Sequence, residues 1–280
     1  MNSRIRNAAI ELMSRDHVGD VNRLDTILGK KESATLSNLV PPNPYVGNPS
    51  NLIPDECIAL IGINPRLDLD RKGFQEYEIN IPLRCQAYYA RTGKGQAFDS
   101  WFKKLHNFYQ SDAYYGKYFT KLGNHIGRAW YTAPAEGEPA NVNARRVLAQ
   151  HVLKLDAVPY YSVSDEMDAN KVIAAMQEDP ALSTHRCLME ALFEECRPRH
   201  LQVNGKTTAG SMSKAVFGET DSFESIGIGK SSIEVGWGEI GNHELPILIH
   251  GFTNASSGPQ SSEAFLECSQ NFESWLKEQF

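Results

Sequence analysis

The chain has 280 residues, a formal net charge of −6 and a hydrophobic fraction of 41%. This composition predicts a packed core and excludes global disorder. The acidic balance argues against nucleic-acid binding over the whole surface but leaves room for a local basic groove. The five cysteines form no CxxC pair, which argues against a zinc ribbon, a thioredoxin motif and an iron–sulfur cluster and is typical of a reducing compartment. Because we find no signal peptide and no apolar run of membrane-spanning length, we expect a cytoplasmic protein that has no membrane partner.

The first part of the chain predicts a helical arm followed by an irregular segment. Apolar residues at helical spacing predict a helix over 3–29. Residues 31–54 are rich in Pro, Asn, Ser and Gly, which is typical of irregular backbone. We therefore divide the chain into an N-terminal helical arm with a Pro-rich wrap, 1–54, and an α/β domain, 55–280.

Short apolar segments in the second part predict buried strands, with helical patterns between them. The predicted strands are 57–62, 151–155, 200–204 and 245–250. The predicted helices are 96–127, 181–196, about 205–217 and a C-terminal helix. Residues 222–236 predict a hairpin that turns at Gly229-Lys230. Strands that alternate with helices imply a parallel sheet covered on both faces. The predicted fold class is α/β, a three-layer sandwich with a central four-stranded parallel sheet flanked by helices.

Each predicted strand ends in polar or glycine-rich sequence, at 62–65, Asp156, 204–206 and 250–251. Ligands of parallel α/β sheets bind beyond the carboxyl ends of the strands, so the functional site is predicted there.

Common cofactor and metal motifs do not account for these strand ends. Gly205 to Thr208 resembles part of a P-loop, but His200 stands where that motif needs its first glycine. The sequence contains no G-x-S-x-G elbow, no HExxH pattern and no other spacing typical of metal ligands. We therefore expect no cofactor and no catalytic metal.

The first strand ends in Ile61-Gly62-Ile63-Asn64-Pro65, and the last ends in His250. A Gly-x-Asn-Pro turn after strand one, with a motif led by His or Asn after strand four, resembles the uracil-DNA glycosylase superfamily. The Gly-Ile-Asn-Pro motif is most similar to that of the branch that attacks uracil or thymine in mispairs. Over residues 55–280 the resemblance implies a uracil-DNA glycosylase-like fold and hydrolysis of an N-glycosidic bond. The implied partner is DNA, bound as a base-flipped duplex or as a single strand.

By this resemblance Asn64 positions the attacking water, and Ile63 and Pro65 of the same rigid turn contact the base. Because Asn is a poor general base, a carboxylate such as Asp68, or its neighbour Asp70, would assist. The alternatives are that Asn64 only shapes a turn before proline and that the aspartates lie in a solvated loop.

The last strand end aligns with the family in two ways. His250 takes the place of the family's histidine, where it would stabilise the departing base, although Gly-Phe replaces the Pro-Ser that follows in relatives. A second alignment begins at Asn254 and includes Ser256, so both are candidates for DNA contact. Loop 251–261 would supply the wedge that replaces the flipped base, with Phe252 as one candidate.

Asp156 stands where uracil-specific relatives carry an asparagine that reads the base edge. A carboxylate accepts a hydrogen bond from the N4 amino group of cytosine and repels O4 of uracil or thymine, which predicts a cytosine-like target. The alternative is that Asp156 caps the following turn. Phe74 and Tyr77 are candidates to stack on the base, although most aromatic side chains belong to the core.

Basic residues cluster around strand three despite the negative net charge. Residues 197–214, which include Arg197, Arg199 and Lys206, contain no Asp or Glu. Lys206 and Thr207 open a helix whose N–H groups can bind a DNA phosphate. The alternative is an ordinary charged surface.

Together these features predict a monofunctional DNA glycosylase, because no lysine is evident at the site to form a Schiff base. The insert 66–95 exceeds what a compact uracil pocket needs and can admit a hydroxymethylated or glucosylated cytosine, as found in some phage DNA. Such an enzyme would serve in antiphage defence. The alternatives are a repair glycosylase for uracil or thymine mispairs, a non-catalytic module that binds modified bases on the same fold, and an unrelated hydrolase of small nucleosides.

Overall fold

The computed structural model describes residues 2–28, 35–111, 116–131, 135–163, 167–218, 223–251, 253–254, 258–259 and 262–280. A six-stranded mixed sheet lies at its centre. Its strands are β1 Ile58–Gly62, β2 Val152–Asp156, β3 His200–Asn204, β4 Glu224–Ile228, β5 Ser231–Ile240 and β6 His243–His250. A separate two-stranded pair consists of β7 Thr253–Asn254 and β8 Gly258–Pro259.

The strand order of the main sheet is β2-β1-β3-β6-β5-β4. The four strands predicted from apolar segments, β2, β1, β3 and β6, run parallel, whereas β5 and β4 are antiparallel. The predicted hairpin with its turn at Gly229-Lys230 is confirmed. The expectation of a purely parallel, four-stranded sheet is wrong, because this hairpin pairs with β6. The pairing satisfies the backbone groups of β6 that would otherwise form an open sheet edge.

The helices in the described part of the chain are α1 Ser3–Ser14, α2 His17–Leu28, α3 Ile81–Thr92, α4 Asp99–His106, α5 Gly116–Trp130, α6 Ala140–His151, α7 Ala169–Glu178, α8 Pro180–Cys196, α9 Thr208–Phe217 and α10 Ser262–Glu278. Short 3₁₀ turns lie at Pro49–Asn51, Gly95–Phe98 and Phe108–Gln110, and Gln75–Asn80 forms a π-helix. None of the helices in these described ranges is long and apolar enough to cross a membrane.

Capping residues explain several helix boundaries. The side chain of Asp179 accepts hydrogen bonds from the first turn of α8, and Arg197 ends this helix in the left-handed conformation, so the predicted helix is confirmed. The prediction of one helix over 3–29 is wrong, since Asp16 accepts a backbone hydrogen bond 3.2 Å long and starts α2. The predicted helix over 96–127 is divided between α4 and α5.

Helices flank both faces of the sheet. Ala59 and Ile61 of β1 face a core shared with α1, α2, α7, α8 and α9. Ile58 and Leu60 face the opposite side, where α5, α6 and α10 pack. This alternation follows from the two-residue period of a strand. The helices of segment 1–54 therefore pack into the same core as the sheet.

A buried carboxylate fixes the two N-terminal helices to the rest of the molecule. Asp20 accepts hydrogen bonds from Arg15 (2.6 Å), Arg23 (2.8 Å) and the Tyr160 hydroxyl (2.9 Å). Arg23 also binds Asp179 at 2.7 Å. Burial disfavours the charged form of Asp20, but the three hydrogen bonds outweigh burial and lower the pKa of this carboxyl group.

Replacing Asp20 by Asn should destabilise the fold, because a neutral amide cannot satisfy two arginines and a tyrosine hydroxyl at once. We expect Asp20→Asn to lower the free energy of unfolding by about 1–3 kcal/mol, measured by urea denaturation. Glu11→Gln, on the exposed side of α1, is the control and should change this energy by less than about 0.5 kcal/mol. Equal stability of the two variants would contradict the anchoring role of Asp20.

Candidate functional site

A cleft of about 730 Å³ lies at the carboxyl ends of the parallel strands, at the edge of the sheet predicted to carry the site. Residues from the turn after β1, from β2, β3 and β6, from the start of α9 and from the segment after Pro65 line it. The structure therefore brings the ends of all four parallel strands together around one cavity.

The floor of the cleft consists of Lys154, Asp156, Gln202, Asn204 and His250. These residues lie on β2, β3 and β6 at alternate positions, so that the period of the strands directs them to the same face of the sheet. Strand pairing places Asn204 opposite His250. The floor is thus polar although the strands that carry it are mostly apolar.

Gly62 allows the Asp156 side chain to approach β1. The two residues are paired across β1 and β2, and a Cβ atom on Gly62 would lie 2.5 Å from Oδ1 of Asp156. A side chain at position 62 would therefore displace the Asp156 carboxylate from its present position.

Backbone hydrogen bonds hold the turn after β1 against the chain that follows β2. The carbonyl oxygens of Gly62, Ile63 and Pro65 accept hydrogen bonds of 2.9, 2.8 and 3.0 Å from that segment. Ile63, Asn64 and Pro65 all line the cleft. The Nδ2 atom of Asn64 is buried and has no hydrogen-bond partner among the described residues. The turn thus presents Asn64 on a rigid support with its donor capacity unused.

Asp156 forms an ion pair inside the cleft. Lys154 Nζ donates to Oδ1 of Asp156 at 2.6 Å. Burial raises the pKa of Asp156, and the charge and hydrogen bond of Lys154 oppose that shift. The expectation that no lysine is present at the site is wrong, because Lys154 lines the cleft. In the sequence this lysine lies inside an apolar strand segment, so the pattern gives no sign that it belongs to the site.

His250 is fully buried and contacts Gln202 on the adjacent strand. The Nε2 atoms of the two side chains are 2.8 Å apart. In this orientation of the Gln202 amide, its nitrogen donates to Nε2 of His250, and the matching tautomer of the ring carries its proton on Nδ1. Burial lowers the pKa of His250 to about 4, so the imidazole is neutral near pH 7.

The segment after Pro65 forms one wall of the cleft, here called the insert wall, with Arg66, Leu67, Asp68, Arg71 and Glu78. Asp68 is half-buried in this wall, so the structure places the predicted catalytic aspartate beside the cleft, while Asp70 is exposed.

Buried charges fix the insert wall. Glu78 binds Lys104 at 2.5 Å and Arg71 at 3.2 Å, and it accepts a hydrogen bond from Tyr161 at 2.7 Å. Burial would raise the pKa of Glu78, but Lys104, Arg71 and Tyr161 outweigh burial and hold it below its ordinary value. Glu78 lies in the π-helix, a helix type that is often found at functional sites.

The aromatic side chains that line the cleft are not those predicted to stack on a base. Phe74 is fully buried and packs edge-on against Tyr161, with ring centres 5.5 Å apart. The guanidinium of Arg71 lies over the Phe74 ring, 4.9 Å from its centre, and the ring has no exposed face, which corrects its assignment as a stacking residue. Tyr77 is half-buried and packs into the core under α5. Phe108, Tyr118 and Phe119, here called the aromatic wall, line the cleft instead. Tyr118 and Phe119 belong to an apolar helical pattern that the sequence cannot distinguish from core.

The predicted DNA-contacting residues are divided between the two ends of the sheet. Thr207 lines the cleft at the start of α9, and Lys206 donates to Ser232 nearby. Arg197 and Arg199 precede β3 and pair with acidic residues at 2.9 and 2.6 Å. A five-residue strand separates them from the cleft by ~17 Å, so the expectation of one basic surface at the site is wrong for the two arginines.

Most of the predicted wedge loop, including Phe252 and Ser256, lies outside the described residues. Asn254 lies in β7, paired with Gly258.

No protein-family model matches the chain, and no curated protein shows significant similarity to it. Among the residues with described positions, no group of three or more His, Cys, Asp or Glu side chains is arranged to hold a metal ion.

The neutral, buried His250 makes stability depend on pH. Its pKa is about 4 in the folded state and 6.5 ordinarily, so the unfolded chain binds more protons between these values. The contribution of His250 is complete above pH 6.5 and is lost as the pH falls toward 4. For this residue we expect a loss of about 2 kcal/mol between pH 7 and pH 5.

Urea denaturation of His250→Gln at pH 7 and pH 5 tests this dependence. Glutamine is polar but does not titrate, so the variant should lose about 2 kcal/mol less than the wild type over this interval. His243→Gln, at the start of the same strand, should behave as the wild type does. An unchanged pH dependence in His250→Gln would show that His250 does not titrate as its burial requires.

Proposed function

We propose that the chain is a DNA glycosylase that hydrolyses the N-glycosidic bond of a flipped, cytosine-like base. The observation that carries this proposal is the convergence of Asn64, Asp156 and His250 in one cleft. They come from three different strand ends and are the residues to which the family resemblance assigns water positioning, base reading and leaving-group stabilisation.

Asn64 and Asp68 suit the activation of a water molecule. The amide oxygen of Asn64 can orient water, and the rigid turn limits the motion of that oxygen. Asp68 lies in the adjacent insert wall and can accept the proton that the water loses as it attacks C1′ of the sugar. Both residues are therefore needed in this mechanism, one for position and one as the base.

His250 suits the stabilisation of the departing base. A neutral imidazole has one N–H donor, and a donor in a buried site stabilises an anion more strongly than it does in water. Gln202 accounts for which ring nitrogen holds the proton. The base leaves as an anion, so a hydrogen bond from His250 to the base would strengthen as the bond to the sugar breaks.

Asp156 suits the reading of a cytosine-like edge. Its ion pair with Lys154 uses one carboxylate oxygen, and a carboxylate can accept several hydrogen bonds. The N4 amino group of cytosine is a matching donor, whereas O4 of uracil or thymine is repelled. Burial removes competing water, which increases this discrimination.

The size of the cleft favours a base with a substituent. A volume of about 730 Å³ is within the range of about 300–1,000 Å³ that holds small molecules, and it exceeds the space a single pyrimidine ring occupies. Because the insert wall bounds this space, the target that we favour is a hydroxymethylated or glucosylated cytosine. Bases of this kind occur in some phage DNA, so the role that we propose is antiphage defence. Thr207 and the start of α9 lie at the cleft, where the N–H groups of a helix N-terminus can bind a DNA phosphate.

Asn64→Ala should lower base release by at least about 10²-fold, because the attacking water loses its positioning group. Binding to DNA should be largely retained, since phosphate contacts are unaffected. The assay counts alkali-labile abasic sites in duplexes with different modified pyrimidines, and Asn141→Ala on the exposed side of α6 is the control. Wild-type protein that binds these duplexes without forming abasic sites would identify a non-catalytic binding module instead.

Asp156→Asn should shift the preference from cytosine-like toward uracil-like bases, because an amide can donate to O4. The expected change in discrimination is about 1–3 kcal/mol, measured as the ratio of single-turnover rates on duplexes that differ only at the target base. Lys154→Arg keeps a positive charge beside the Asp156 carboxylate, and it should leave the direction of the preference unchanged. If Asp156→Asn does not move the ratio, Asp156 serves only as the partner of Lys154.

A further inference from the structure

Several polar atoms around the floor of the cleft have no protein partner. Among the described residues, the side-chain oxygens of Gln202 and Asn204 are buried and accept no hydrogen bond. Both side chains line the cleft, as does Asn64 with its unused donor. Buried polar atoms in native proteins almost always have partners. Unpaired atoms at a cavity surface are therefore available for hydrogen bonds with a bound ligand or with water.

The contact with His250 determines which atom of Gln202 remains for a ligand. Gln202 is only 2% exposed, and its amide nitrogen is 2.8 Å from Nε2 of His250. His200, the next residue on the same face of β3, lies beside the Gln202 side chain, but no hydrogen bond of normal geometry joins its ring to the Gln202 oxygen, which has two lone pairs for partners. In the observed orientation the Gln202 nitrogen faces His250, and the Gln202 oxygen remains as an acceptor at the cleft.

The side-chain oxygen of Asn204 is a second acceptor, two residues after Gln202 on the same face of β3. It pairs in register with His250, and the backbone N–H of Gly205 donates to the His250 carbonyl at 2.7 Å. These backbone contacts fix the position of Asn204 at the end of the strand. Since Asp156 also contributes a carboxylate, oxygen acceptors extend across the floor from β2 to β3.

We infer that Gln202 and Asn204 form a specificity subsite, which accepts hydrogen bonds from hydroxyl or amino groups of the ligand. This inference rests on the proposed function and narrows its substrate class. The target base presents donors toward β3, through an exocyclic amino group or a hydroxylated substituent. A base that presents only carbonyl oxygens in this direction would leave the acceptors of the subsite unpaired, and a site of that kind rejects such a base.

Asn204 is the better residue for a test, because a change at Gln202 would also disturb His250. Asn204→Leu removes the acceptor with little change in volume, and Asn204→Asp retains an acceptor of nearly the same shape. Asn141→Leu, on the exposed side of α6, is the matched control. The probes are duplexes with cytosine, 5-hydroxymethylcytosine or uracil at one position, where a 2′-fluorine on the target sugar slows hydrolysis. Calorimetry gives Kd for each protein and duplex.

The wild type should bind the hydroxymethylcytosine duplex about tenfold more tightly than the uracil duplex. Asn204→Leu should lose this preference, while Asn204→Asp and Asn141→Leu should keep it. Equal affinity of the wild type for all three duplexes, or a preference that survives Asn204→Leu, would overturn the inference. A preference that Asn204→Asp also abolishes would overturn it too, because the acceptor would then not be the cause.

Base release from the same sequences without fluorine is measured in parallel. If binding shows the preference and its loss in Asn204→Leu, but no duplex yields abasic sites, the proposed glycosylase activity fails and the subsite stands. If abasic sites form and Asn204→Leu changes neither affinity nor the choice of base, the activity stands and the subsite fails.

Discussion

The in-register pairing of β2, β1, β3 and β6 determines where each polar side chain of the cleft floor lies. Because side chains alternate between the two faces of a sheet, a shift of one residue in any of these strands would move its polar end into the helix-covered core. Ala59 and Ile61 pack against one helical layer and Ile58 and Leu60 against the other, so the apolar part of β1 resists such a shift. The core therefore aligns the polar ends, including the pairing of Gly62 with Asp156.

The insert wall depends on a different kind of contact. A buried ion pair such as Glu78 with Lys104 adds little net stability compared with apolar packing, since desolvation offsets most of the attraction. The ion pair does, however, restrict the positions that the wall can take, because a buried carboxylate that lacks its partner is strongly disfavoured. Glu78 joins the π-helix to α4, to Tyr161 and to Arg71 of the wall. We attribute to this network the fixed position of the wall relative to the sheet.

The location of the cleft is predictable from the sequence because a short apolar run that ends in polar residues marks a buried strand and its carboxyl end. Lys154 and Gln202 are not predictable in the same way, since each lies inside an apolar run and its direction follows only from the pairing of the strands. Arg197 and Arg199 are close to Lys206 in the chain, but β3 lies between them, so the two arginines are at the amino end of this strand and Lys206 follows its carboxyl end. The hairpin is evident from its turn and its alternation, although neither feature identifies β6 as its neighbour.

The N-terminal helices have consequences for how this protein is made. α1 packs on α8, and Asp20 binds Tyr160, which lies 140 residues later in the chain. During synthesis α1 and α2 leave the ribosome long before these partners exist, so their apolar faces have nothing of the native core to cover them. Contacts at such separation close slowly, because the loop entropy is lost before the contact stabilises the chain. Until α8 has been translated, the native partners of α1 and α2 are therefore incomplete, and part of their apolar surface stays exposed on the nascent chain.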